Sequence, residues 1–249
     1  MSTATNNVSS SMPFEDPLQA CVPAIRDGQM AAVYYGQRVC GDFYDFVRVN
    51  PHRVVFGFFD VAGNLEKNRP IAVPLQARFR AEACELLQPD DSNELDGLVE
   101  LWIVLNAEIM RAASGVHACP AFLACYDEEL HTLAYVNSGH TPGLVKDGDT
   151  VRELGATALP LGLFSHSVPD SSLIALGSQQ TLLLVSKGIV EAKHRHEEYG
   201  LERVRDYLQE VTFNSAHETC VGLLSRVREF MGSPPTHNDV TALSLVRSR

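Results

Sequence analysis

The run Val54-Val55-Phe56-Gly57-Phe58-Phe59 leads straight into Asp60, and Val61-Ala62-Gly63-Asn64 follows as a turn. A short stretch with no polar residue predicts a strand that buries its body and presents Asp60 at its exposed end. A carboxylate there adds little stability and is well placed to hold a cation. A second acidic strand end, Gly41-Asp42-Phe43-Tyr44-Asp45, lies just upstream.

The rest of the chain supplies a setting for these two ends. Residues 1–18 are rich in Ser, Thr and Asn without periodicity and read as a tail. Strands are expected at 30–35 and 43–49, split by Gly36-Gln37-Arg38. After the Pro51-His52 turn, 53–59 returns antiparallel and brings Asp42 near Asp60, with the register left open. A helix is expected over 71–87, with Pro70 at its start and Pro74 in its first turn. A second helix at 94–113 carries Leu98, Trp102, Leu105 and Ile109 on one side, which makes Trp102 a core anchor.

Further strands are expected at 121–126, 132–137, 143–146, 151–154, 173–176 and 181–185, the last central in its sheet. Helices at 201–210 and 215–230 precede a closing strand at 240–246, which returns to a sheet begun early in the chain. Two packed, mostly antiparallel sheets with helix pairs outside would bury all of this. The fold class is α+β, and residues 19–249 read as a single domain.

The charge balance narrows the partners. With 31 acidic against 20 basic side chains the formal charge is -11, which disfavours nucleic acid and anionic membranes. No apolar run approaches the roughly 20 residues of a membrane span. The six cysteines are scattered without a CxxC pair, so free thiols in a reducing cytoplasm are expected. His117, Cys119 and Cys125 share one strand face, but no closing ligand pair follows, which argues against zinc. His194 and His196 sit in a mixed-charge, solvated loop. Nucleotide loops, serine elbows and H-E-x-x-H sites are absent from the sequence.

Two more polar turns follow hydrophobic strands: Val185-Ser186-Lys187-Gly188 and, before the last strand, Thr236-His237-Asn238-Asp239. A metal-dependent phosphoryl hydrolase gathers carboxylates from distant chain segments around two divalent ions. The ordered motifs resemble that chemistry's PP2C-like serine/threonine protein phosphatases, in the bacterial stage II sporulation protein E branch. The resemblance rests on Gly41-Asp42-Phe43-Tyr44-Asp45-Phe46, Asp60-Val61-Ala62-Gly63-Asn64 and Tyr135-Val136-Asn137-Ser138-Gly139-His140-Thr141-Pro142. Leu159-Pro160-Leu161-Gly162, Gly188-Ile189-Val190-Glu191-Ala192 and Asp239-Val240-Thr241-Ala242-Leu243 extend it in unbroken order.

The resemblance implies a four-layer αββα sandwich, Mn²⁺ or Mg²⁺, phosphoserine or phosphothreonine substrates, and anti-sigma-factor antagonists as partners. It makes Asp42 and Asp60 catalytic metal ligands, together with the Val61 backbone carbonyl. Gly41, Gly63, Asn64, Gly139, His140 and Gly188 become supporting turn residues, with His140 structural. Five positions depart from the pattern. Lys187 stands where the family has its third aspartate and Asn238 where it has the fourth, while Asp239 matches the neighbour. Cys40 replaces a glycine, and Asn64-Leu65 replaces the usual pair after Gly63.

Lys187 is therefore expected as a built-in counterion beside Asp60, where an ammonium would repel a second cation. Asn238 is read either as a weak amide ligand or as a cap of the strand-entry turn. One metal site at most is expected, held by Asp42, Asp60 and Val61. The leading reading is a weakly active or inactive regulatory pseudophosphatase that binds a phosphoprotein or regulatory protein. An active phosphatase using Asp239 or Asn238, and a metal-free interaction module, stand as alternatives.

Overall fold

Strand parity explains why the opening run lacks a polar residue. The computed structural model describes residues 20–35, 41–63, 65–212, 215–232 and 239–248. Within it, Phe56 and Phe58 point into one apolar layer and Val55 and Phe59 into another. Successive strand side chains face opposite sides, so a strand covered on both faces is apolar throughout.

The chain opens with β1 (Gly28–Tyr35), β2 (Asp42–Arg48) and β3 (Arg53–Asp60), then α1 (Leu65–Leu87) and α2 (Glu94–Ala112). Six strands follow: β4 (Ala121–Asp127), β5 (Thr132–Ser138), β6 (Gly143–Asp147), β7 (Thr150–Leu154), β8 (Ser172–Ala175) and β9 (Thr181–Val185). The last third holds α3 (Lys187–Val190), β10 (Lys193–His194), β11 (Glu197–Glu198), α4 (Gly200–Glu210), α5 (Ala216–Met231) and β12 (Val240–Arg247).

Two five-stranded sheets result, in the orders β1-β12-β9-β6-β7 and β2-β3-β4-β5-β8. Their strand pairs are antiparallel, and β9 lies in the middle of its sheet as its uniform hydrophobicity predicts. The closing strand β12 pairs with β1, from Gly28 opposite Arg247 to Tyr35 opposite Val240. Phe56, Phe58, Phe122 and Tyr135 meet Leu182, Leu184, Leu243 and Leu245 between the sheets. Helices α1 and α2 cover the outer face of one sheet, and α4 and α5 that of the other. This is the four-layer αββα sandwich of the expected α+β class.

Trp102 is fully buried, and its indole N–H donates to Ser138 Oγ at 2.8 Å. Helix α5 is capped as its sequence suggests, by Ser215 at the start and by Gly232 in the left-handed conformation at the end. The described cysteines, Cys21, Cys84, Cys119, Cys125 and Cys220, are free thiols. No described helix is long and apolar enough to cross a membrane.

Three local expectations are corrected. Helix α1 begins at Leu65 and not at Pro70, so both Pro70 and Pro74 lie inside it. Each lacks the N–H of its turn, but the buried side chains of Ile71, Ala72, Leu75 and Phe79 hold the segment on the sheet. The polar turn at Lys187 is a single helical turn, and the mixed-charge loop at 193–198 contains the β10–β11 pair, exposed on both strands. The tail expected over 1–18 lies outside the described residues.

Candidate metal and substrate cleft

The β2–β3 hairpin settles the register left open by the sequence. Asp42 is paired directly with Asp60, and both share strand parity with the residues facing the inter-sheet layer. The opposite sheet reaches the same place through two segments. Lys187 and Glu191 come from the turn after β9, and Asp239 comes from the residue before β12. Asp42, Asp60, Gly63, Lys187, Glu191 and Asp239 line a cleft of about 200 Å³, with Gly188 in its wall.

Asp239 ties the two sheets together. Its Oδ2 accepts the backbone N–H of Asp42 at 3.2 Å, while its carbonyl accepts the Ser186 hydroxyl at 2.8 Å. Ser186 Oγ in turn accepts the Thr241 N–H at 3.0 Å. Nothing in the local sequence around Ser186 signals this role. The second aspartate of the opening motif has a different task. Asp45 has opposite parity, is fully buried, and receives Arg80 of α1 through Nε at 2.6 Å and Nη2 at 3.1 Å.

The carboxyl groups of Asp42 and Asp60 face each other across the hairpin and act on each other's charge. Burial pushes the Asp60 carboxyl above the ordinary carboxylate range. The Asp42 side chain and the Lys187 charge oppose that shift, while Asp239 and Glu191 reinforce it. The Lys187 ammonium thus acts on Asp60 through space, but its ion-pair partner is Glu191, 3.2 Å away and one helical turn on. The Lys187 side chain is 65% exposed, so it sits at the rim and not in the floor of the cleft. Glu191 was missed as a cleft residue, although its spacing of four from Lys187 is legible on a helix.

Behind Asp60 the chain turns through Val61, Ala62 and Gly63. Asn68, 4% exposed on α1, donates its amide to the Val61 carbonyl at 2.8 Å and to the Ala62 carbonyl at 2.9 Å. Gly41 lies against the same carbonyl: a Cβ added there would stand 2.0 Å from Val61 O. That close approach explains why position 41 carries no side chain. Asn64 and Asn238 lie outside the described residues.

The Asn137–Pro142 segment forms a braced turn. Asn137 Oδ1 accepts the His140 N–H at 2.9 Å, its Nδ2 donates to Leu154 O at 3.0 Å, and Ser138 Oγ donates to Leu159 O. Gly139 has φ +70 and abuts Pro160, which a side chain would strike. His140 lies against Phe58, with ring centroids 4.8 Å apart, and its Nδ1 bonds to the Thr141 carbonyl at 3.1 Å.

Burial pushes the His140 imidazole down from its ordinary value of 6.5 to about 4. Between those values the unfolded chain binds a proton that the folded one refuses. The contribution is therefore complete above pH 6.5 and is lost as pH falls towards 4, by up to about 3 kcal/mol. Urea unfolding at pH 7.5 and 4.5 should show this loss, and His140→Gln should flatten that part of the profile. An unchanged profile would place the acid sensitivity elsewhere.

The profile of the stage II sporulation protein E (SpoIIE) family matches residues 50–248. The chain belongs to the SpoIIE family. Curated relatives of this SpoIIE-family chain include phosphoserine phosphatase RsbP of Bacillus subtilis, 26% identical over 172 residues. That match covers 68% of this chain and 41% of RsbP. Stage II sporulation protein E of Priestia megaterium is 22% identical over 165 residues, covering 66% of this chain and 26% of the relative. The chain therefore spans less than half the length of either.

Solved structures agree on the architecture. The RsbU and RsbW domains of Rv1364c from Mycobacterium tuberculosis superpose with a TM-score of 0.74 at 19% identity, over 94% of this chain and 64% of that one. The PP2C phosphatase domain with a regulatory fragment of SpoIIE from Bacillus subtilis gives 0.73 at 17%, over 88% and 62%. The SiaA-PP2C domain of Pseudomonas aeruginosa gives 0.69 at 18%, over 87% and 85%. The fold is that of a PP2C-like phosphatase domain.

The SpoIIE-family fold is associated with Mn²⁺- or Mg²⁺-dependent phosphatases, and the donors of this cleft do not fit a pair of such ions. Hard divalent cations take several oxygen ligands, mostly anionic. Here the Lys187 ammonium lines the cleft together with the carboxylates of Asp42, Asp60 and Asp239. Among the described residues no group of three or more His, Cys, Asp or Glu side chains is placed to hold an ion.

Proposed function

We propose that this SpoIIE-family domain, read as a single domain over residues 19–249, is a regulatory pseudophosphatase. It binds a phosphorylated or regulatory protein, of the anti-sigma-factor antagonist type, with little or no turnover. The observation that supports this reading is Lys187, which lines the cleft with Asp42, Asp60 and Asp239 and which the resemblance aligns with the family's third aspartate. The family's chemistry would need two cations to activate a water for attack. Even from the cleft rim an ammonium opposes one of those cations. One ion at most would then be held, by Asp42, Asp60 and the Val61 carbonyl, with cytoplasmic placement.

An active phosphatase is the second reading, favoured by Asp239, which lies in the cleft beside Asp42. Turnover of phosphoserine and phosphothreonine peptides with Mn²⁺ or Mg²⁺ separates the two, with Asp42→Ala as control. The expected result is a rate indistinguishable from that of Asp42→Ala. Robust Mn²⁺-dependent hydrolysis that disappears in Asp60→Asn would establish the second reading instead.

A further inference from the structure

We propose that Asn68 closes the metal position that Lys187 leaves untouched, the one made by Asp42, Asp60 and the Val61 carbonyl. This rests on the pseudophosphatase reading and deepens it: the cleft is shut to divalent cations twice, by two unrelated devices.

The geometry around the Val61 carbonyl carries the inference. Asn68 Nδ2 reaches Val61 O at 2.8 Å and Ala62 O at 2.9 Å. Both partners are acceptors, so the amide must turn its NH₂ group and not its oxygen towards them. The oxygen is also packed against Gly41, next to the amide: a Cβ added at Gly41 would lie 2.0 Å from Val61 O and 2.9 Å from Asn68 Nδ2. The carbonyl oxygen thus meets an N–H donor, and the Gly41 backbone crowds the space beside it. A divalent ion needs a free lone pair and open space at about 2.0–2.6 Å.

Binding there would also be opposed energetically. The ion would meet the positive end of the Asn68 amide dipole. Displacing that amide would break two hydrogen bonds and leave a buried donor unsatisfied. Asn68 is 4% exposed, on the first turns of a 23-residue helix whose Ile71, Ala72 and Leu75 are anchored in the core, so it cannot swing away cheaply. Asn68 is a positioning residue, acting on the Val61 carbonyl and not on any reacting atom. Its effect is separate from that of Lys187, which approaches Asp60 from the opposite sheet.

The test is Mn²⁺ titration by calorimetry, with Mn²⁺ paramagnetic resonance as a second readout. The parent, Asn68→Ala and Asn68→Leu are compared, with circular dichroism confirming each fold. The leucine variant removes the donor while keeping the volume, so the buried site stays filled. The parent is expected to show no Asp42-dependent Mn²⁺ binding up to about 1 mM. The folded variants should gain a single site at least about tenfold tighter, which Asp42→Ala in the same background removes. Asn68→Ala or Asn68→Leu folding normally without that gain overturns the proposal. So does parent protein that binds one Mn²⁺ through Asp42, a result that needs no variant to fold. Parent protein binding one ion without turnover would overturn the role of Asn68 and leave the pseudophosphatase reading intact, whereas efficient turnover would remove that reading itself.

Discussion

Lys187→Asp combined with Asn238→Asp is expected to raise Mn²⁺ affinity on the order of a hundredfold, roughly 3 kcal/mol after allowance for solvent and salt screening. The first change replaces an ammonium by a carboxylate and alters the local charge by two units. Its position at the cleft rim, in a side chain 65% exposed, is why the full low-dielectric Coulomb figure does not apply. Glu191 is released from its 3.2 Å ion pair in the same step and adds further negative potential. Calorimetric titration of the double variant against the parent measures the gain. Unchanged affinity in a folded double variant would undermine the assignment of positions 187 and 238 to the family's ligand positions. The ion gained belongs to the position shared with Asp60, so the Asn68 variants should add to it and not duplicate it.

Arg53→Met is expected to destabilise the fold by about 3–5 kcal/mol, because it strips the counterion from a buried carboxylate and leaves the rest of the cluster in place. Arg53 is 6% exposed. Its Nε donates to Asp127 Oδ2 at 3.1 Å and also lies 2.9 Å from Glu94 Oε1, while Nη1 donates to Pro89 O at 3.0 Å and Ser92 Oγ at 2.9 Å. One side chain thereby joins β3, the α1–α2 connection and the end of β4. Asp127 is 1% exposed and held below the ordinary carboxylate range despite its burial. The N–H groups of Leu130 and Glu129 and the Arg53 guanidinium more than offset that burial. Methionine fills the space but offers no charge or donor. Arg53→Lys should recover only part of the loss, since an ammonium lacks the planar fork that serves several acceptors at once. Urea unfolding of the three proteins reads this directly, and a loss below about 1 kcal/mol for Arg53→Met would mean that water reaches Asp127 easily.

Much of the architecture is written locally. The unbroken apolar run ending at Asp60 and the amphipathic helix around Trp102 each specify an element through side-chain periodicity. Where local signals conflicted, packing prevailed. Pro70 reads as the first residue of a helix, yet α1 starts at Leu65 because its apolar face gains more against the sheet than two missing N–H groups lose.

The candidate site divides in the same way. Asp42 and Asp60 were legible as strand-end carboxylates, and Lys187 as a departure from an aspartate position. That Lys187 pairs with Glu191, that Asp239 holds the Asp42 amide, and that Asn68 takes the Val61 carbonyl are contacts between segments distant in the chain or set at angles that no periodicity encodes. By itself, then, the sequence determined the elements, their burial and the charges carried to the cleft, since these follow from the order of side chains along one strand or helix. Only the tertiary structure decided which polar atoms are already taken, because hydrogen bonding depends on distances of a few tenths of an ångström between elements brought together by the packing of two sheets.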